Sequence, residues 1–224
     1  MKHRGTLVLA LAAAVATSAA AQGPCGMKGP HLPAAGEWSE YQTARGTMKM
    51  AYLGHESAGD RIEMQMAGDR GNMIMQVVVD GFPYDSKDIH EAVIKFGDRP
   101  AMKAPQMMLE RMGSNSAITK DMCGSFTKVG DESVTVPAGT FKATHYKFSS
   151  EKSVNGMDMK SSGDVWISAD VPFGLVKEEG TASGMRGDTQ TSMVLTSKGS
   201  GAKSSITEKP QDMGGMMMGP PPKN

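Results

Sequence analysis

Methionine is the residue type whose number and spacing in this sequence could support chemistry. The chain contains 21 methionines among 224 residues, although methionine is not one of the commonly used residues of globular domains. Its thioether is soft and polarisable, so methionines can ligate Cu(I) or line an apolar surface that adapts to ligands of different shape. For any single methionine the ordinary role is a third one, filling the core under a sheet.

Several methionines are spaced two residues apart. The pairs are Met48/Met50, Met64/Met66, Met73/Met75 and Met157/Met159, and three consecutive methionines stand at 216–218. Side chains at positions i and i+2 of a strand project from the same face, so each pair suits a ligand lining and a thioether metal site equally well. The spacing leaves three interpretations open: plain core, a lining for a hydrophobic ligand, or ligands for Cu(I).

Other residue types give little support for catalysis or for a dedicated metal centre. His31, His55, His90 and His145 form no H-x-H or H-x-x-x-H pair, so we expect no metal site and no cofactor. The sequence has no G-x-S-x-G elbow, P-loop or dinucleotide fingerprint. Glu178 and Glu179 are interpreted as solvated charges. We therefore expect a protein that is not an enzyme.

The strands that would position the methionines are predicted over 38–44, 47–52, 61–67 and 73–79. Glycine-containing breaks separate these runs, and within them apolar residues alternate with polar ones such as Lys49, Glu63 and Gln76. Alternation at period two predicts one apolar face and one face in water. The candidate ligand-lining residues on the apolar face are Met48, Met50, Tyr52, Ile62, Met64, Met66, Met73 and Met75.

The next segment changes period and predicts helix. Asp85 or Ser86 can cap a helix in which Ile89, Val93 and Phe96 recur at helical spacing, and a second short helix is predicted over 104–112. Helices inserted between two groups of strands can pack on the apolar face of the sheet. The expected fold class is therefore α+β and mostly antiparallel β, with one or two short helices on the concave face.

A second antiparallel meander is predicted beyond residue 129. Strands over 133–136 and 140–148 are joined by Pro137-Ala138-Gly139, which suits a tight hairpin. Further short strands are predicted over 164–168, 175–178 and 193–197.

The sequence of this second meander resembles a motif found in secreted bacterial proteins grouped near the LolA/LolB-like lipoprotein-localisation and lipid-carrier superfamily. It is carried by residues 134–141, 164–168, 171–172 and 174–177, and the resemblance covers roughly residues 125–207. It implies a strongly curved sheet or incomplete barrel whose apolar concave side receives acyl chains or a lipidated partner. No lipid-contact residue of that superfamily maps onto this sequence.

The organisation of the chain predicts an exported protein. Residues 1–21 have the basic start, apolar run and small-residue cleavage site of a signal peptide, residues 22–37 form a flexible leader, 38–208 a single β-rich LolA/LolB-like domain, and 209–224 a disordered Met/Pro/Gly-rich tail. We expect a periplasmic or secreted location without a transmembrane anchor. Cys25 and Cys123 could form a disulfide there or remain free thiols.

The charge balance bears on partners. Lysine plus arginine and aspartate plus glutamate both number 24, so the chain lacks the basic excess of a nucleic-acid-binding protein. The resulting hypothesis is a carrier for a hydrophobic ligand, a lipid or acyl chain, or for a lipidated partner, in a methionine-lined cavity. The alternatives are a Cu(I)-binding envelope protein and a non-catalytic structural or interaction module.

Overall fold

The computed structural model describes residues 30–69, 71–105, 108–109, 125–154, 157–184 and 187–212, and within them twelve strands form one sheet. The strands are β1 Trp38–Thr43, β2 Gly46–Glu56, β3 Gly59–Gly68, β4 Gly71–Val79, β5 Ile89–Phe96, β6 Met102–Lys103, β7 Phe126–Val136, β8 Gly139–Val154, β9 Met157–Ile167, β10 Leu175–Gly184, β11 Gly187–Gly199 and β12 Gln211–Asp212. The predicted signal peptide, both cysteines and most of the tail lie outside the described residues.

The sheet joins two meanders. Its strand order is β12-β6-β5-β4-β3-β2-β1-β11-β10-β9-β8-β7, so the pairing of β1 with β11 connects the first meander to the second. All pairings are antiparallel except the short one between β12 and β6. No pairing among the described strands links β12 to β7, so the sheet is not closed into a barrel. The mostly antiparallel prediction is confirmed.

The helix predicted from the spacing of Ile89, Val93 and Phe96 is wrong. A 3-10 turn, Ser86–Asp88, is followed by strand β5, which pairs with β4. Three consecutive residues of β5, Ala92, Val93 and Ile94, are all buried. A strand covered on both faces loses its alternation and becomes a continuous apolar run, which helical spacing can match by coincidence.

The second predicted helix, over 104–112, lies only partly within the described residues. Met108 and Leu109 are helical, and the amide groups of both donate to the Pro105 carbonyl, at 2.8 and 3.3 Å. The described chain is thus nearly all strand, and helices on a concave face are not confirmed. No helix among the described residues has the length and apolarity needed to cross a membrane.

The loop between β9 and β10 ties the two meanders together. Phe173 has a φ of 65°, a conformation that costs free energy for a residue with a bulky side chain. Its ring is buried and lies 5.3 Å, edge to face, from Phe82 in the loop after β4. The cluster around it also contains Tyr52 and Ile62. Packing of this ring therefore holds an unfavourable backbone in place.

Part of the first meander is covered on both faces. One face packs against the cluster of Phe173, while on the other Val93 and Ala101 pack with Ile206. Ile206 belongs to a stretch after β11 that we call the closing segment, residues 200–210. Hydrogen bonds from Ala202 to Gly36 and from Gln211 to Ala101 hold the two ends of this segment against the sheet.

Candidate functional site

Two rows of methionines cross strands β2, β3 and β4. Met48 pairs with Met66 and Met66 with Met73, forming what we call the outer row. The inner row is Met50, Met64 and Met75, paired in the same way. Residues directly opposite each other in an antiparallel sheet project from the same face.

A third row completes the face. Tyr52 pairs with Ile62, and Ile62 with Val77. All eight candidate residues therefore lie on one side of the sheet, which we call the methionine face: Met48, Met50, Tyr52, Ile62, Met64, Met66, Met73 and Met75. Their role as ligand-lining residues remains a prediction.

The methionine face is more buried at its Tyr52 and Ile62 end than along the methionine rows. Tyr52 and Ile62 are buried, whereas all six methionines are half-buried. The inner row packs against the core clusters, but Met66 and Met73 of the outer row are not among the residues that do so in the described chain. The outer row ends at Phe96, which pairs with Met73 and is 43% exposed. The outer row thus lies between the packed inner row and an exposed ring.

Aromatic rings cover the deep end of this face. Tyr84 lies 6.3 Å from Phe82, which in turn contacts Phe173. Burial raises the pKa of Tyr84 to about 12. The Tyr52 hydroxyl donates to Asp60 at 2.7 Å, and desolvation together with this carboxylate raises the pKa of Tyr52 to about 12. Both phenols therefore stay neutral at physiological pH, and Tyr52 contributes an anchored ring.

The opposite face of the same strands was expected to lie in water, and for two residues this is wrong. Glu63 and Gln76 are only 1% and 5% exposed. Gln76 and Gln65 each donate to the Glu63 carboxylate at 2.7 Å, and the Ser205 amide group donates to it at 2.9 Å. The closing segment seals this face because it supplies hydrogen-bonding groups that match the side chains beneath it.

A half-buried carboxyl on the methionine side was also missed. Glu178 pairs with Met193 of β11 and Val165 of β9, and the pairings of Leu195 with Tyr41 and of Tyr41 with Met48 place it on the same side of the sheet as Met48. Burial raises its pKa. Its neighbour Glu179 was the available signal, since consecutive strand residues project from opposite faces, and a sheet with one covered face cannot solvate both.

The histidine with the most contacts lies away from the methionine face. His145 approaches Asp164 at 2.6 Å through Nε2 and Glu132 at 3.4 Å through Nδ1, and its ring stacks on Trp166 at 4.6 Å. Both ring nitrogens therefore face carboxylates. Among the described residues, no group of three or more histidine, cysteine, aspartate or glutamate side chains could hold a metal ion.

Three surface clefts are lined by described residues of the second meander and the chain around it. The first, of about 420 Å³, lies between Asp131, Lys142 and Ser168, and the other two lie beside Pro172 and Phe148. No member of the methionine face lines any of these three clefts. A methionine-lined cavity thus remains a prediction.

Comparisons with known proteins identify a family. A family model described as DUF3108-like matches residues 59–195, which include β3 and β4 of the methionine face. No curated protein matches the chain. The comparisons show no link to the LolA/LolB-like superfamily.

Two solved structures are similar to the chain. One, from Bacteroides fragilis, is described as a protein proposed to be exported with a YmcC-like fold; it shares 14% identity at a TM-score of 0.41, covering 76% of this chain and 99% of its own. The other, a proposed lipoprotein from Parabacteroides distasonis, shares 13% identity at a TM-score of 0.39, covering 76% of this chain and 98% of its own.

Proposed function

The chain belongs to the DUF3108-like family, and we propose that it is an exported carrier that binds a hydrophobic ligand, a lipid or acyl chain, on the methionine face. The observation that carries this proposal is the register of β2, β3 and β4. It gathers six methionines from three strands into two adjoining rows on one side of the sheet.

The half-burial of these methionines supports a ligand-binding role. An acyl chain that covers them removes apolar surface from water, and each buried methylene contributes about 0.8 kcal/mol. Methionine is unbranched and has three rotatable bonds, so six of them can adapt to chains of different length and curvature. Strand positions ordinarily favour valine and isoleucine, so methionine at these positions favours adaptability over strand propensity.

The contacts around the two rows hold the strand backbone in place beneath adaptable side chains. On the reverse side, the Glu63 carboxylate accepts hydrogen bonds from Gln65, Gln76 and Ser205. At the deep end, the Tyr52 hydroxyl is fixed on Asp60. The backbone of β2–β4 is therefore held from both sides, and adaptation to a ligand is confined to the methionine side chains.

Binding of a fluorescent fatty acid to the mature protein tests this proposal. We expect saturable binding, and we expect the double substitution Met64→Glu and Met66→Glu to abolish it, because two carboxylates on the face would have to be desolvated by the acyl chain. Ala67→Glu is the matched control, since Ala67 is the next residue of β3, exposed, and projects from the opposite face. Unchanged binding in the double variant would remove the methionine face from the site.

A further inference from the structure

We propose that the outer row, Met48, Met66 and Met73, is a thioether site for a soft monovalent ion, Cu(I) or its analogue Ag(I). This site goes beyond the carrier function and does not depend on it. Nothing about an acyl ligand requires sulfur, whereas the arrangement of the outer row suits an ion that binds sulfur.

The geometry brings three thioethers together from three neighbouring strands. Met66 on β3 is directly opposite Met48 on one side and Met73 on the other. Directly opposed residues have Cβ atoms about 4.5–5.5 Å apart. Each sulfur sits on a flexible, unbranched side chain, so Met66 and Met73 can turn toward Met48, which packs against the core, without moving the backbone. A three-coordinate sulfur site can form around the central residue.

Access distinguishes the outer row from the inner one. All three residues of the inner row pack against the core clusters, whereas Met66 and Met73 do not belong to the described clusters and are half-buried. Rotation of a packed side chain toward a metal would leave a void in the core, which costs free energy. Met66 and Met73 can rearrange without that cost toward Met48, which packs against the core cluster of Tyr41, so we assign the ion to the outer row.

The neighbours of the outer row favour a soft ion over a hard one. The row is flanked by Tyr41, which pairs with Met48, and by Phe96, which pairs with Met73. The Tyr41 hydroxyl is buried and donates to the Leu175 carbonyl at 3.2 Å, so it is already engaged. The row therefore offers thioether sulfurs without a carboxylate or imidazole in line with them. Such a donor set selects Cu(I) and disfavours Zn²⁺, Mg²⁺ and Ca²⁺.

The chemistry of thioethers gives the site a recognisable pH dependence. Cysteine and histidine ligands must lose a proton before they bind, so their metal affinity falls in acid. A thioether carries no proton to lose. Cu(I) binding at the outer row should therefore be nearly constant between pH 5 and pH 7.5, which separates it from binding at any thiol or imidazole elsewhere in the chain.

The test is an anaerobic competition titration of the mature protein with Cu(I) and a chromophoric Cu(I) chelator. The variant with Met48→Leu, Met66→Leu and Met73→Leu should lose one pH-independent Cu(I) equivalent relative to the unaltered protein. The matched control is Met50→Leu, Met64→Leu and Met75→Leu, which makes the same chemical change in the inner row and should keep that equivalent. X-ray absorption should show a sulfur shell that disappears only in the outer-row variant.

Fatty-acid binding by the same variants keeps the two proposals apart. Leucine is apolar and close to methionine in volume, so both leucine variants should fold, as judged by circular dichroism, and their fatty-acid affinities should differ from each other by less than their Cu(I) affinities do. Equal Cu(I) stoichiometry and affinity in the outer-row variant and the unaltered protein would overturn the metal site and leave the carrier proposal intact. Loss of the equivalent in the inner-row control as well would overturn the assignment to the outer row.

Discussion

At neighbouring positions, the two faces of strands β2–β4 reverse the usual relation between polarity and burial. On one face, Glu63 and Gln76 are almost fully buried, while on the other Met64 and Met66 are half-exposed. Buried polar groups and exposed apolar groups are the informative exceptions to the rule that apolar residues lie inside. The polar face is closed by residues from the end of the domain, and the apolar face keeps accessible surface.

This difference between the two faces indicates which face stabilises the fold and which face can bind a ligand. On the polar face, Gln65, Gln76 and the Ser205 amide group all donate to the buried Glu63 carboxylate, and such a network is costly to break because its central acceptor cannot reach water. The methionine face depends on adaptable contacts that tolerate substitution. Damage to the polar face should therefore act on folding, and damage to the methionine face on ligand binding.

The largest expected effect comes from truncating the acceptor at the centre of the polar face. Glu63→Ala removes the acceptor shared by Gln65, Gln76 and the Ser205 amide group, and the buried Gln76 keeps only the Ser204 hydroxyl. Hydrogen bonds to a charged group contribute about 1.5–3 kcal/mol each. We expect a loss of at least about 3 kcal/mol in the free energy of unfolding, measured by denaturant titration. Met64→Leu, one position along the same strand, should cost less than about 1.5 kcal/mol. Similar losses in both variants would contradict the contrast between the faces.

A smaller effect should follow from loosening the closing segment. Ile206→Ala removes the side chain that packs between Val93 and Ala101, and truncations of buried isoleucine cost about 2 kcal/mol or more. Amide hydrogen exchange should report the change as faster exchange in the β3–β4 region under the segment.

Met73→Ala is the control for this change on the methionine face. The residue is half-buried and lies outside the described clusters, so its truncation should cost less than about 1 kcal/mol. A larger loss from Met73→Ala than from Ile206→Ala would show that the methionine face carries the stability of the meander.

The sequence allowed the strands of the first meander to be predicted because period-two alternation is a local signal. The predicted strands over 38–44, 47–52, 61–67 and 73–79 are confirmed as β1–β4, and the methionine pairs fall on a single face as their spacing indicated. Strand β5 could not be found in the same way. The consecutive buried residues Ala92, Val93 and Ile94 have no alternation, because both of its faces are covered.

The closing of the polar face depends on contacts that no local pattern contains. Ser205 reaches Glu63 from 142 positions away along the chain, and Tyr41 pairs with Leu195 across the junction of the meanders. A polar residue at an alternating strand position is ordinarily solvated, so the sequence predicted that Glu63 and Gln76 would be exposed to water. They are covered by residues 204–206, which come from a distant part of the sequence.

The smallest expected effect concerns a half-buried carboxyl, Glu178, which lies on the methionine side without a hydrogen-bond or ion-pair partner among the described residues. Burial raises its pKa in the folded protein, so the unfolded chain releases this proton first as the pH rises. Stability should then fall as the pH increases from the ordinary carboxyl pKa of about 4.3 toward the raised value. Below that interval both states hold the proton, and the penalty is absent.

Glu178→Gln should remove this loss, so the unfolding free energy of the variant, relative to the unaltered protein, should increase as the pH rises through that interval. Glu179→Gln makes the same charge change on the opposite, exposed face and is the matched control. An equal pH-dependent difference in both variants would assign the effect to net charge. A difference confined to Glu178→Gln would show that the methionine side desolvates a carboxylate without compensating it. The polar face, in contrast, supplies hydrogen-bond donors to the carboxylate of Glu63.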